Sequence, residues 1–285
     1  MGTLFIIIAG SLWGAMGIFV RGLASCGLSS IEICFIRMVM ASFLMTIYFV
    51  IFNRNALKIR ISDIWCFVGT GVLSLTFFGY CYFTTIQMTS MSIAAVLLYT
   101  SPIFVLLLSA VLFKEKITRR KVISIIVAIT GCAFVSGIIG NGDANLSFAG
   151  ILFGLGSGLG YGLYSIFSRY AINRGYSALT ITYYSFVFSA IALAFIAKPV
   201  NTILKLTNGR VDINIYYVIG TAVVVTILPY IFYTLGLTKI ENSKASVLAC
   251  IEPIMATVFG YLFFHEVLNY GEVVGVILVL IAIIL

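Results

Sequence analysis

SKASVLACIEPIMATVFGYLFFHEVL, residues Ser243–Leu268, and SIAAVLLYTSPIFVLLLSAVLFKEKI, residues Ser92–Ile117, carry one pattern twice at an offset of 151 residues. Pro102 falls on Pro253, and Glu115 falls on Glu266. A bilayer core of roughly 30 Å takes about 20 apolar residues as a helix, so each stretch reads as a membrane span with a proline near its middle. A second match, at an offset of 148, sets WGAMGIFVR (Trp13–Arg21) on YGLYSIFSR (Tyr161–Arg169), the difference of three marking an insertion. Five spans are followed by five more.

Composition agrees with that pattern. The chain of 285 residues is 62% hydrophobic and 9% charged, whereas a soluble domain is about 25% charged. Apolar runs bounded by charge, Asn or Gly predict helices near 3–20, 30–52, 63–83, 92–113, 121–139, 148–168, 178–197, 214–234, 243–264 and 272–285. The expected fold is all-α and integral to the membrane, with ten transmembrane helices in two inverted five-helix repeats, 3–139 and 148–285. Five is odd, so the second repeat enters the membrane upside down. Inverted repeats characterise secondary transporters, whose site lies near the midplane where the halves meet, although any duplicated helical bundle would show the same offset. The last segment is short for a full crossing at about 1.5 Å per residue, which suggests a chain ending just before a cytoplasmic tail. MGTLFIIIAGSLWGAMGIFV lacks a basic leader and a cleavage site, so the first helix is expected to be retained.

The net charge of +8 does not indicate nucleic acid, because the basic residues sit in short gaps between spans. Arg54, Lys58, Arg60, Lys114, Lys116, Arg119, Arg120, Lys121, Arg169, Arg174, Lys239 and Lys244 fall in loops on one side. The other side keeps only Arg21, Lys198, Lys205 and Arg210. That asymmetry orients a multi-pass protein of the plasma (inner) membrane with both termini cytoplasmic. The run KEKITRRK, Lys114–Lys121, suits anionic headgroups. The six cysteines form no CxxC pair, so neither a disulfide framework nor a metal site is expected, and no cofactor is implied. No Gly-Lys dipeptide supplies a phosphate loop, and the single histidine, His265, has no second histidine four residues on. An enzyme is therefore not expected. The partners expected are a small-molecule substrate, a proton as a candidate co-substrate, and the lipid bilayer. Ten spans suffice to enclose a path in a monomer.

Glu252 lies near the middle of its span, where a carboxylate costs roughly 2.5 kcal/mol or more. It can face a central cavity and bind a substrate ammonium or a proton, or bond a neighbouring helix. Pro253 lacks an N–H and should leave the carbonyl of Ala249 unpartnered, as Pro102 should for Leu98 and Pro229 for Val225. Broken backbone at this depth persists where it lines a cavity or is buried in protein. Arg37, a third of the way down its span, can grip a substrate carboxylate or brace the scaffold, for instance against Glu32. Trp13, Tyr80, Tyr99, Tyr161 and Tyr230, with Tyr82, Tyr164 and Tyr233 in the same spans, can line a site for an apolar or cationic group or simply pack. The substrate-binding candidates are Trp13, Tyr80, Tyr99, Tyr161, Tyr230 and Glu252; the structural or gating candidates are Arg37, Pro102, Pro229 and Pro253. Gly150, Gly154, Gly158 and Gly162 form one ridge of the sixth span, with Gly156 and Gly160 on another, for close packing or for sliding.

The segments SPIFVLLLSAVLFKEKIT and IEPIMATVFGYLFFHEVLN, each followed by a Gly-containing apolar helix, resemble the EamA domain of the drug/metabolite transporter superfamily. So do the early WG and FIRMVMASF around Arg37. The resemblance covers the whole chain as two tandem domains and is specific to family, not substrate. It implies a ten-helix fold with both termini inside, and export of amino acids or related metabolites, some members being importers or carriers of vitamins. Two positions depart from the repeat: Tyr161 stands where the first half has Trp13, and Ser185 where it has Arg37. The alternatives are an importer of a cationic amine such as choline and, in another class, a non-transporting receptor or scaffold. A lipid-modifying enzyme would need His, Asp or Ser clustered at one interface, which the sequence does not offer.

Overall fold

The computed structural model describes residues 1–137, 147–207, 211–265 and 269–285. Among these the regular structure is entirely helical. In chain order the helices are α1 (Gly2–Gly14), α2 (Met16–Ser25), α3 (Ser30–Phe52), α4 (Ile64–Val68), α5 (Phe77–Met88), α6 (Met91–Leu98), α7 (Ser101–Phe113) and α8 (Arg119–Val135). After the undescribed stretch follow α9 (Phe148–Asn173), α10 (Ala178–Ala194), α11 (Pro199–Thr207), α12 (Val211–Ala222), α13 (Leu228–Leu237), α14 (Asn242–Leu248), α15 (Ile251–Phe264) and α16 (Tyr270–Ile284). Wider π-type turns, Gly69–Thr76 and Val223–Ile227, join α4 to α5 and α12 to α13.

Seven helical stretches are long and apolar enough to cross a bilayer, and the bent pair Ala178–Ala194 and Pro199–Thr207 makes an eighth if it counts as one span. Several starts follow local side-chain chemistry. Ser29 and Glu32 form a reciprocal capping box on α3, and Asn269 and Glu272 form another on α16. Ser90, Thr118, Ser147 and Ser177 each accept an N–H at the start of α6, α8, α9 and α10, satisfying donors that a helix end leaves open.

Burial departs from that of a soluble protein. Phe43, Ile51, Val111, Ile126 and Phe263 are exposed, whereas Ser157, Ser168, Thr182, Ser185, Ser189 and Thr234 are fully buried. Lipid provides no hydrophobic drive between helices, so hydroxyl-bearing residues join large ones such as Phe49, Phe67 and Phe186 at the contacts, while many other large apolar side chains face outward.

The halves interleave. α1 packs on α13 and on α15, while α9 packs on α5 with its preceding π turn and on α6 and α7. α3 packs on α10, α7 on α14, and α8 on α16. At the crossing of α8 and α16, a Cβ added to Gly131 would stand 2.9 Å from the Val279 nitrogen and 3.0 Å from the Gly275 oxygen. Two backbones meet there with no room for a side chain.

Pro102 and Pro253 sit just after helix breaks, at Tyr99–Thr100 between α6 and α7 and at Ala249–Cys250 between α14 and α15. The carbonyl of Ala249 is not left open as expected. It accepts the Glu252 N–H at 3.0 Å, because the chain tightens by one residue at the break. Pro229 follows the π turn as the second residue of α13. Two residues at helix ends, Lys114 after α7 (φ 58°) and His265 after α15 (φ 55°), adopt the left-handed conformation.

Candidate functional site

The centre of the molecule is shaped by glycines on α1 and α9. Gly10 and Gly14 let α1 lie against the break before α15: a Cβ on Gly14 would meet the Met255 Cβ at 2.6 Å, the Ala256 nitrogen at 2.8 Å and the Glu252 oxygen at 2.9 Å. Gly158 and Gly162 do the same for α9 against the break before α7, where a Cβ on Gly158 would meet Thr100 Oγ1 at 2.7 Å and the Leu97 oxygen at 2.8 Å. Gly156 and Gly160 face Phe77, Phe78 and Cys81 of α5. Both ridges of α9 thus serve close packing.

Trp13, brought inward by that approach, is the hub of an aromatic cluster. Its ring lies 5.0 Å from that of Tyr230, 5.3 Å from Tyr233 and 6.0 Å from Tyr161. Tyr164 stacks edgewise on Tyr230 at 5.0 Å, and Phe78 on Tyr161 at 5.6 Å. A narrow slot runs among these rings, closed along one side by Ser74 and Leu75. The hydroxyls of Tyr164 and Tyr233 are engaged by Thr234 at 2.9 Å and Ser165 at 2.8 Å. Tyr161 instead donates to Glu252 Oε2 at 3.1 Å.

Glu252 therefore sits in the first turn of α15, within the aromatic cluster and against α1. Among the described residues its carboxylate takes a single hydrogen bond, from the neutral Tyr161 hydroxyl, although a carboxylate has about four acceptor sites. Capacity remains for a cation or a proton.

The other candidates divide. Trp13, Tyr161 and Tyr230 converge on the slot. Tyr99 is buried on another flank, among Leu106, Val247, Cys250 and Ile254. Tyr80 is brought to none of these: it is 45% exposed and leans on Phe153 at 6.3 Å. Arg37 is buried, with Nη1 3.3 Å from Met16 Sδ and Nε without a partner. It does not brace against Glu32, whose carboxylate caps α3 and takes Lys205 at 2.8 and 2.9 Å. Pro102 and Pro253 mark the two breaks. Glu266 and Arg210 lie outside the described residues.

Some polar groups at the centre and at one end escaped the sequence reading. Ser74 is buried with an unpartnered hydroxyl facing the slot; the small-residue run Gly69-Thr70-Gly71 before it was the available signal. At the loop end, Glu115 accepts the backbone N–H groups of Asn242 (2.9 Å) and Ser243 (3.3 Å). Arg169 donates to Asn242 Oδ1 at 2.9 Å and to the Ile240 carbonyl. Nearby, Asp63 receives Arg174 at 3.1 Å and Tyr176 at 2.8 Å. These contacts tie 114–118 to 238–243, and 53–63 to 174–177, at the end where the basic residues gather.

A helical bundle with an apolar exterior, at least seven membrane-length helices and a polar, aromatic centre is a multi-pass membrane protein. The chain belongs to the EamA-like transporter family, whose model matches residues 1–137 and 148–285. It is 31% identical over 194 residues to an uncharacterized transporter of Archaeoglobus fulgidus, an alignment covering 68% of this chain and 66% of that one. It is 23% identical over 279 residues to the uncharacterized transporter YwfM of Bacillus subtilis, covering 98% and 90%. It is 25% identical to the uncharacterized inner membrane transporter YicL of Salmonella typhimurium, covering 100% and 94%. A crystal structure with 15% identity superposes with a TM-score of 0.79 over 99% of this chain and 94% of the other, which speaks to fold alone. Family and relatives point to a membrane transporter rather than an enzyme.

Proposed function

We propose that this chain is a secondary transporter with ten spans in two inverted five-helix repeats, 3–139 and 148–285. It exports amino acids or similar small metabolites by alternating access through a central cavity. The observation that carries this reading is Glu252, a carboxylate at membrane depth on a broken helix, held by one tyrosine hydroxyl and surrounded by the rings of both halves. Trp13, Tyr161 and Tyr230 pack against the substrate, Tyr99 borders its charged end, and Glu252 takes its ammonium or a proton. Arg37 and the three prolines hold or hinge the frame around them.

The repeat is supported by exchange of contacts. α1 of the first half docks on the broken helix of the second, and α9 of the second docks on the broken helix of the first. The docking glycines Gly10 and Gly14 match Gly158 and Gly162 at the offset of 148, and the left-handed residues Lys114 and His265 match at 151. Two such halves can rock about a shared centre. The clasp of Glu115, Asn242 and Arg169 is the contact that must open at the basic end, which positive-inside orientation makes cytoplasmic. The working unit is a monomer in the plasma membrane.

Flux in proteoliposomes tests this reading. Efflux of labelled amino acids should exceed that from protein-free vesicles and should be lost on Glu252→Gln; no excess for any amino acid would end it. One observation favours a second reading, import of a cationic amine such as choline, because an acid beside aromatic rings suits a quaternary ammonium. Choline flux without amino acid flux would select it.

A further inference from the structure

The pseudo-symmetry of the chain isolates two charges. At the offset of 148 Arg37 corresponds to Ser185, and at 151 Glu252 corresponds to Ser101. The two serines show what packing alone requires at these positions. Ser185 is fully buried and satisfied, its Oγ 2.6 Å from Thr70 Oγ1 and 2.7 Å from the Ile181 carbonyl. Ser101 is 2% exposed at the start of α7. The fold closes over a small hydroxyl at both places, so neither charge is needed to build it.

A buried guanidinium is nonetheless present. Arg37 is 5% exposed and carries five donors with no acceptor function of its own. Among the described residues Nη1 reaches only the sulfur of Met16, a weak acceptor, and Nε has no partner. Among the described residues no carboxylate lies within ion-pair distance of it. Glu32, its nearest acid in sequence, is already held by Lys205. A charge left this way at membrane depth costs several kcal/mol unless a partner arrives. Arg37 also borders the centre: Met16, the contact of its Nη1, packs on the cluster that holds Trp13, Tyr164 and Tyr230.

We propose that Arg37 is the anion-binding residue of the transport site, gripping the carboxylate of a zwitterionic substrate whose ammonium sits on Glu252. This assignment rests on the transport reading of the Glu252 site and changes the role given there to Arg37 from brace to ligand. Opposite charges, each a departure from the repeat and unpaired with one another, define a site for a molecule that brings both counter-charges together. The planar fork suits a carboxylate bidentately, which a lysine cannot reproduce. A simple amine such as choline leaves the fork unfilled.

The test uses the purified full chain in nanodiscs and thermal-shift titration, since a ligand that binds the native state stabilises it according to its saturation. The twenty L-amino acids are screened, and each binder is compared with its decarboxylated amine, for example L-phenylalanine with phenethylamine. The amino acid is expected to bind at least tenfold tighter than its amine. In Arg37→Gln that preference disappears, the acid weakening to the level of the amine; Arg37→Lys keeps part of it. Equal binding of acid and amine by the unmodified protein overturns the assignment, and that comparison needs no variant to fold. If amines bind and no amino acid does, the transport site stands and the Arg37 assignment falls. If neither class binds, the transport reading fails and this assignment fails with it.

Discussion

The broken helix pairs α6–α7 and α14–α15 answer the same structural demand with different chemistry. Each breaks one turn before a proline, packs on a glycine pair of the opposite half, and ends on a left-handed residue. α6 caps itself, Ser90 Oγ accepting the Ile93 N–H at 3.2 Å. α14 has no side-chain cap from its own Glu241; Glu115, from the loop after α7, caps it instead. At the break the first pair carries Ser101 and the second Glu252. Both pairs thus lean on the other half at their middle, but only the second also takes the cap of its first helix from the other half. If the halves rock as proposed, recognition and gating would fall on α14–α15, with α6–α7 as the stiffer counterpart.

The comparison breaks most sharply if the two central positions behave alike. Glu252→Gln is expected to remove about 1.5–3 kcal/mol of substrate binding, the worth of hydrogen bonds to a charged group, or roughly ten- to a hundredfold in affinity. Ser101→Ala should stay within about twofold. Proteoliposome flux and thermal-shift titration of both variants check this. Equal losses would mean that the acid is only a packing element.

Stability sharpens the comparison next. A methyl at Gly14 must displace backbone atoms of Ala256 and Glu252, so Gly14→Ala should destabilise by about 1–3 kcal/mol, as overpacking does. At Gly162 the nearest atom is Val105 Cγ2 at 2.9 Å, a side chain that can yield, and Gly162→Ala should cost less. Gly17, with nothing within 4 Å of the added methyl, serves as the control: its Ala variant should gain up to about 1 kcal/mol from helix propensity. Denaturation midpoints in a fixed detergent read all three.

Much of this asymmetry was legible in the sequence because it is written at fixed offsets. The prolines, the docking glycines and the replacement of Ser101 by Glu252 can all be read by laying the chain on itself. Facing was not legible. A helix apolar all round has no amphipathic stripe, so Tyr80 and Tyr82 look equivalent, yet Tyr80 points outward against Phe153 while Tyr82 lies against Phe78 of the aromatic cluster. Contacts between halves leave no local signal either. Glu115 reads as part of a basic loop, and only the folded chain brings it to Asn242, as it brings Lys205 and not Arg37 to Glu32.

That contact between halves gives a third, smaller effect. Glu115→Gln weakens acceptors for two backbone N–H groups at the start of α14, where an anion also suits the helix dipole. A loss of about 0.5–2 kcal/mol is expected from the cap, whereas Ser90→Ala should cost α6 a similar amount without touching the clasp. Cysteine accessibility separates them: with a reporter cysteine at Ser246, buried behind the clasp, labelling from the basic end should rise in Glu115→Gln and stay unchanged in Ser90→Ala. Equal labelling would make the clasp a cap and no more.

The smallest expected effect concerns how Glu252 is held before substrate arrives. Tyr161 Oη, at 3.1 Å, is the donor aligned on its carboxylate, and Trp13, the residue matching Tyr161 in the first half, has its ring edge-on to the same tyrosine. Tyr161→Phe keeps the ring contacts with Trp13 and Phe78 and removes one neutral hydrogen bond, worth about 0.5–1.5 kcal/mol. Fold stability should therefore change little, while affinity falls by roughly two- to tenfold. Trp13→Phe keeps an aromatic ring but thins the packing, so it should weaken every bound amino acid alike. A Tyr161→Phe variant that binds as tightly as the parent would show that Glu252 needs no orienting donor, and that substrate alone fixes the carboxylate at the break of α14–α15.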